Sequence, residues 1–257
     1  LNLVFSKVQG QKGVGGGDSG ARTYFGIHGW SGTHDTFAPL VGALPPDVSF
    51  VSVDLPGHGR SGWSGELDLD LLAGLLSAEM SRIEAPRFTL VGNCSGALLG
   101  LAALEAEPAL ISRVERMVLI DPFAYAPWYF RIFVTPPIGR YAYYSTFANP
   151  LGRWLANQSL RGHRQDDTDL THSFRHLDHA VSYRYLEILT GISSIDRWKG
   201  IAIETDLVYG ARTFGAIRRS VGMWQAIWPH ARVHELKAAG HLPIVEAPDD
   251  LRRILFG

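Results

Sequence analysis

Six short apolar runs, each followed by small or polar residues, recur along the chain and limit what it can fold into. Tyr24 to Ile27 ends at His28-Gly29, Val48 to Val53 at Asp54 and Phe88 to Val91 at Gly92. Met117 to Ile120 ends at Asp121, Leu207 to Tyr209 at Gly210, and Val233 to Leu236 precedes Gly240-His241. Runs this short and rich in β-branched residues read as strands buried on both faces. Helix-like stretches alternate with them: Leu67 to Ile83, Gly96 to Glu107, Gly215 to Trp228 and Pro243 to Phe256. The alternation predicts an α/β fold with a mostly parallel central sheet and helices on both faces, because each parallel crossover lays its helix over the sheet. Leu1 to Val8 reads as an additional edge strand. The 257 residues suffice for one large domain of this kind. In such sheets chemistry collects at the carboxyl ends of the strands.

One segment breaks the rhythm. Between Pro122 and Asp196 there is no clear buried strand, and aromatic residues are dense, among them Phe123, Tyr125, Trp128, Tyr129 and Phe130. Because it starts directly after a strand end, the segment reads as a helical cap (122–196) inserted into a core made of 1–121 and 197–257. Phe123, Tyr125 and Trp128 are the expected apolar substrate contacts, together with Trp30.

The strongest local signal is Gly92-Asn93-Cys94-Ser95-Gly96 between an apolar run and an Ala/Leu-rich helix. This is the strand–turn–helix setting of a nucleophile elbow, where flanking glycines let strand and helix approach closely. Only Cys94 has a glycine two residues before and two after it, which favours it over the neighbouring hydroxyl of Ser95. Ser95 is expected to cap the helix and to offer its backbone N–H to an oxyanion. Three further segments stand at strand ends: His28-Gly29-Trp30-Ser31-Gly32, Asp54-Leu55-Pro56-Gly57-His58-Gly59-Arg60-Ser61, and Gly240-His241-Leu242-Pro243.

From Tyr24 to the C-terminus, these segments and their order resemble the α/β-hydrolase fold superfamily, with cysteine in the nucleophile position. The resemblance implies that Trp30 and Ser95 N–H groups form the oxyanion hole and that His241 is the catalytic histidine. His28, Asp54 and His58 are expected to brace loops, and Glu246 to pack or cap a helix. The acid departs from the family pattern. A carboxylate usually follows the penultimate strand, where this chain reads Gly210-Ala211-Arg212-Thr213. Asp121, after an earlier strand, is the best substitute; Glu204 and Asp206 are weaker candidates at the wrong end of their strand. A thiol tolerates a missing acid better than a hydroxyl does, since its ordinary pKa is about 8.5.

Charge and composition narrow the partners. With a net charge of -1 the chain offers no overall electrostatic attraction to nucleic acid or an anionic membrane. The lone cysteine forms no internal disulfide, and the sequence shows no leader or membrane-spanning run, so cytoplasm is the default expectation. Gly10 to Gly20 reads as a flexible loop and lacks the lysine–hydroxyl ending of a phosphate-binding loop. His163, His172, His176 and His179 tempt a zinc reading but lack an accompanying cysteine or carboxylate pattern; no metal and no cofactor are expected. The expected reaction is hydrolysis or transfer of an apolar acyl group, from an ester or a thioester, free or carrier-bound. A lyase of natural-product biosynthesis on the same scaffold is the alternative, and a non-catalytic small-ligand-binding protein the third reading.

Overall fold

The structure is a computed structural model that describes residues 3–10, 22–165 and 168–257. The glycine-rich stretch from 11 to 21 lies outside them. Seven strands form one sheet: β1 (Val4–Gln9), β2 (Arg22–Ile27), β3 (Val48–Asp54), β4 (Phe88–Asn93), β5 (Val114–Ile120), β6 (Glu204–Gly210) and β7 (Arg232–Leu236). Their order is β1-β3-β2-β4-β5-β6-β7. β1 pairs antiparallel with β3, and every other pairing is parallel. The helices are α1 (Ala38–Val41), α2 (Leu69–Ser81), α3 (Ser95–Ala106), α4 (Trp128–Arg131), α5 (Gly139–Tyr143), α6 (Pro150–Ser159), α7 (His179–Gly191), α8 (Gly215–Ile227), α9 (Pro243–Glu246) and α10 (Pro248–Phe256).

The apolar runs are continuous because the central strands serve two cores. Successive side chains on a strand point to opposite faces. Leu90, Met117, Leu119 and Leu207 join the core under α2, α3 and α8. Their neighbours Val91, Val118, Ile120 and Val208 join the core under α1 and α10. Each fully buried Leu or Val contributes about 1.5–3 kcal/mol. On the α8 side Trp198, Trp224 and Trp228 stack with centroid separations of 6.1 and 4.9 Å.

Two elements differ from the sequence reading. β7 is an edge strand and is mostly exposed on its Arg232–Glu235 stretch, so it is not buried on both faces. The stretch from Pro243 to Phe256 is two helices, not one. Pro248 lacks an N–H and disfavours helical geometry at the preceding residue, and Ala247 accordingly sits at φ -144°, ψ 55°.

Between β5 and β6 the chain runs through α4, α5, α6 and α7 and, among the described residues, adds no strand. Asn149 and Asp178 start α6 and α7 by accepting hydrogen bonds from the free N–H groups of the first turn. Among the described residues, no helix is long and apolar enough to cross a membrane.

Candidate active site

The elbow is built by close approach. A Cβ on Gly96 would lie 2.2 Å from the carbonyl oxygen of Ile27, and one on Gly92 would lie 2.5 Å from Cα of Ala97. Only glycine fits at either place. Between them Cys94 adopts φ 52°, ψ -116°, a left-handed conformation that L-residues avoid. Its N–H donates to the carbonyl of Ile120 at 2.7 Å, which ties the turn to β5. The chain then enters α3 at Ser95, whose N–H belongs to the first turn and has no acceptor within the helix. Ser95 does not cap α3: no side chain does, and its Oγ is buried without a hydrogen-bond partner among the described residues. As the first residue inside the helix, it lines the cavity.

Asp121 and His241 meet beside Cys94. Asp121 Oδ2 lies 2.8 Å from His241 Nδ1. Cys94 is near enough to His241 to help hold its proton. The acid is fixed from several directions. Its backbone takes a left-handed φ of 48° and its N–H donates to Val208 at 2.7 Å. The N–H of Gly210 donates to Oδ1 at 3.1 Å, and the hydroxyl of Thr213 donates to Oδ2 at 2.5 Å. Thr213 therefore occupies the place where a carboxylate was expected and supports the carboxylate of the neighbouring strand. Glu204 and Asp206 stand at the far end of β6. Asp206 is paired with Arg116, Arg232 and His234.

Electrostatics bind a proton to this cluster. Burial opposes charge on His241, but the hydrogen bond to Asp121 and then the nearby Cys94 outweigh it and raise its pKa to about 10. Burial pushes the Asp121 carboxyl above its ordinary value, against the hydrogen bonds from His241, Thr213 and Gly210. Both shifts favour a proton bound within the His241–Asp121 pair.

The loop after β2 lies against the elbow: a Cβ on Gly29 would be 3.1 Å from Cβ of Cys94. His28 is fully buried and is held neutral by burial and by the neighbouring His58, with a pKa near 3. Its Nε2 accepts from the N–H of Leu55 at 3.1 Å, so Nδ1 donates to the carbonyl of Gly29 at 2.7 Å. His58 Nε2 lies 2.8 Å from the carbonyl oxygen of Trp30, and the Trp30 indole donates to Ser182 at 2.7 Å. Trp30 is therefore held at both its backbone and its ring. Asp54 accepts from the N–H groups of His34 and Arg60 at 2.7 and 3.0 Å.

A cavity of about 440 Å³, counted with its open mouth, runs from Cys94 and Ser95 between α4 and α7. Trp30, Phe123, Tyr125, Phe130, Leu186 and Leu189 line it, and its wall is almost wholly apolar. Trp128 is not part of that wall. It is 73% exposed, because α4 starts just after Pro127 and turns Trp128 outward while Phe130 points in.

Sequence reasoning missed a clamp on the histidine loop. The N–H of His241 donates to the carbonyl of His163 at 2.8 Å. Glu246 accepts from the N–H groups of Gly240 and Gln165 at 2.5 and 2.7 Å. The segment that follows α6 thereby holds the loop that carries His241. No local pattern announces this, since the partners are about 80 residues apart. His163 packs on Phe214 and His179 on Tyr143. Among the described residues no three His, Cys, Asp or Glu side chains are grouped to hold a metal ion.

Residues 26–254 match the sequence profile described as the alpha/beta hydrolase family. The serine hydrolase-like protein of Danio rerio is 30% identical over 114 residues, which is 43% of this chain and 34% of that protein. The pimeloyl-[acyl-carrier protein] methyl ester esterase of Aeromonas hydrophila is 24% identical over 89% of this chain and 92% of its own. The enol-lactonase of Burkholderia xenovorans LB400 superposes with a TM-score of 0.75 at 19% identity, covering 98% of this chain and 94% of that one. A thermophilic esterase from Thermogutta terrifontis gives 0.71 at 14% identity over 98% and 91%. With its elbow, its sheet order and a profile match over nearly its whole length, the chain belongs to the alpha/beta hydrolase family.

Proposed function

We propose that the protein is an esterase-type hydrolase that forms an acyl-enzyme on Cys94. The observation that carries this reading is the His241–Asp121 pair beside Cys94, which sits in a strained elbow at the head of an apolar cavity. A relative named for ester cleavage supports the reaction class.

With its proton passed to His241, the Cys94 sulfur attacks the carbonyl carbon of the ester and a C–S bond forms. The carbonyl oxygen becomes an oxyanion, and the backbone N–H groups of Trp30 and Ser95 stabilise it. The intermediate collapses, the ester C–O bond breaks, and the imidazolium gives its proton to the departing alkoxide. His241, now neutral, takes a proton from water, which attacks the thioester. The acid leaves, and Cys94 and His241 regain their starting state. Asp121 keeps Nδ1 protonated and directs Nε2 at the sulfur.

The cavity wall selects an apolar acyl chain, because polar groups buried there would find few partners. A thioester, free or on a carrier, would undergo the same steps with a thiol as leaving group. The test is a panel of esters and thioesters of increasing acyl length with wild type, Cys94→Ala and Cys94→Ser. The reading expects activity that rises with acyl length until the cavity is filled and is abolished in Cys94→Ala. Full activity in Cys94→Ala would overturn it.

A further inference from the structure

The net charge of -1 hides an uneven distribution. From 122 to 165 the chain carries Arg131, Arg140, Arg153, Arg161 and Arg164 and no aspartate or glutamate; acids resume only at Asp166. Arg131, Arg140 and Arg161 are exposed. The same stretch exposes large apolar side chains to an unusual degree. On α6, Leu151, Trp154 and Leu155 are 63%, 57% and 55% exposed, and no residue of that helix is buried. Their i, i+3, i+4 spacing puts them on one face, the spacing by which a helix ordinarily packs on a core. Ile138 and Tyr141, at 61% and 77%, add to the exposed apolar surface around α5. Soluble domains rarely leave this much apolar surface facing water without a partner.

We propose that α4, α5 and α6 form a docking surface for an anionic lipid bilayer. The proposal deepens the esterase reading by assigning the substrate to the lipid phase. Charge decides against a second copy of the chain: a two-fold interface would set these arginines against one another. An anionic partner is left. The apolar side chains protrude and are spread over three short helices. A soft interface accepts protruding Trp, Tyr and Leu side chains at headgroup depth, whereas a folded partner needs a matched pocket for each. Among the described residues that line the cleft at Trp154, the one acid, Asp169, is engaged by Arg175 at 3.0 Å. The surface also adjoins the cavity. On α4, Trp128 faces solvent while Phe130, two residues on, lines the substrate wall. An apolar ester partitioned into the bilayer would reach Cys94 without crossing water.

The test is co-sedimentation of the whole protein with vesicles of phosphatidylcholine mixed with phosphatidylglycerol, against vesicles of phosphatidylcholine alone. Binding to the mixed vesicles, weakened by salt, is expected. Arg131→Ser and Arg140→Ser should each weaken it about fivefold, the effect of one basic residue near an anionic surface. The Trp154→Glu, Leu155→Glu double variant should abolish it, with thermal unfolding unchanged because both side chains are exposed. Cys94→Ala should bind as wild type does, so the result stands whether or not Cys94 is the nucleophile. No binding to mixed vesicles at low ionic strength, or binding that survives the double variant, would overturn the proposal. Capture of an acidic carrier protein in place of vesicles would also overturn it.

Discussion

Two side chains at this site stand in left-handed backbone, and neither is glycine: Cys94 at φ 52° and Asp121 at φ 48°. Each costs on the order of 1–3 kcal/mol and persists only where the surroundings fix it. Both sit where a strand of the central sheet ends, and both present their side chains to His241. Asp121 was legible only as a substitute, because the expected carboxylate position holds Thr213. What the sequence could not show is that Thr213 donates to Asp121. Asp121→Asn should lower kcat/KM by about 10²-fold or more, as loss of the base's orientation does, and Thr213→Val by a smaller factor, both read from steady-state kinetics. Ser95 gives the opposite expectation. Its Oγ is buried without a partner among the described residues, so Ser95→Ala should leave thermal stability unchanged or raise it and keep most activity. A loss comparable to that of Cys94→Ala would contradict the assignment of the nucleophile.

At the scale of elements, the alternation of runs and helices was readable because β4, β5 and β6 are apolar on both faces. The reading failed where that condition lapses: at β7, whose edge position leaves it exposed, and at Ala247-Pro248, where an apolar periodic stretch hides a break. It also misassigned Trp128, since aromatic density does not say which side of a four-residue helix faces the cavity. The elbow itself depends on two contacts that any side chain would violate. Gly96→Ala should destabilise the fold by about 1–3 kcal/mol or more, measured by urea denaturation, because its Cβ would enter the carbonyl of Ile27 and no flexible side chain can yield. An unchanged midpoint would show that β2 and α3 are not held together as described.

Across the whole molecule, the site depends on contacts between parts of the chain that no local pattern links. Glu246 receives N–H groups from Gly240 and from Gln165, joining the histidine loop to the segment that follows α6. Hydrogen bonds to a charged acceptor contribute about 1.5–3 kcal/mol, so Glu246→Ala should lower stability by about that amount and reduce kcat more than it changes KM. The protonated histidine adds a pH dependence. His241 binds its proton more tightly in the folded state, at about 10 against 6.5 for an ordinary histidine. Its contribution is therefore complete below about pH 6.5 and is lost as pH rises through about 10. The stability gap between wild type and His241→Asn should narrow over that window in denaturation curves taken at its two ends; a gap that widens would place the proton elsewhere.

Acyl transfer through Cys94 requires a covalent acyl group on its sulfur. Intact-protein mass spectrometry during turnover of an activated apolar ester, followed by peptide mapping, tests it most directly. One acyl adduct, located on Cys94, should accumulate in wild type and be absent in Cys94→Ala. An adduct on Ser95, or turnover that persists in Cys94→Ala without any adduct, would contradict it.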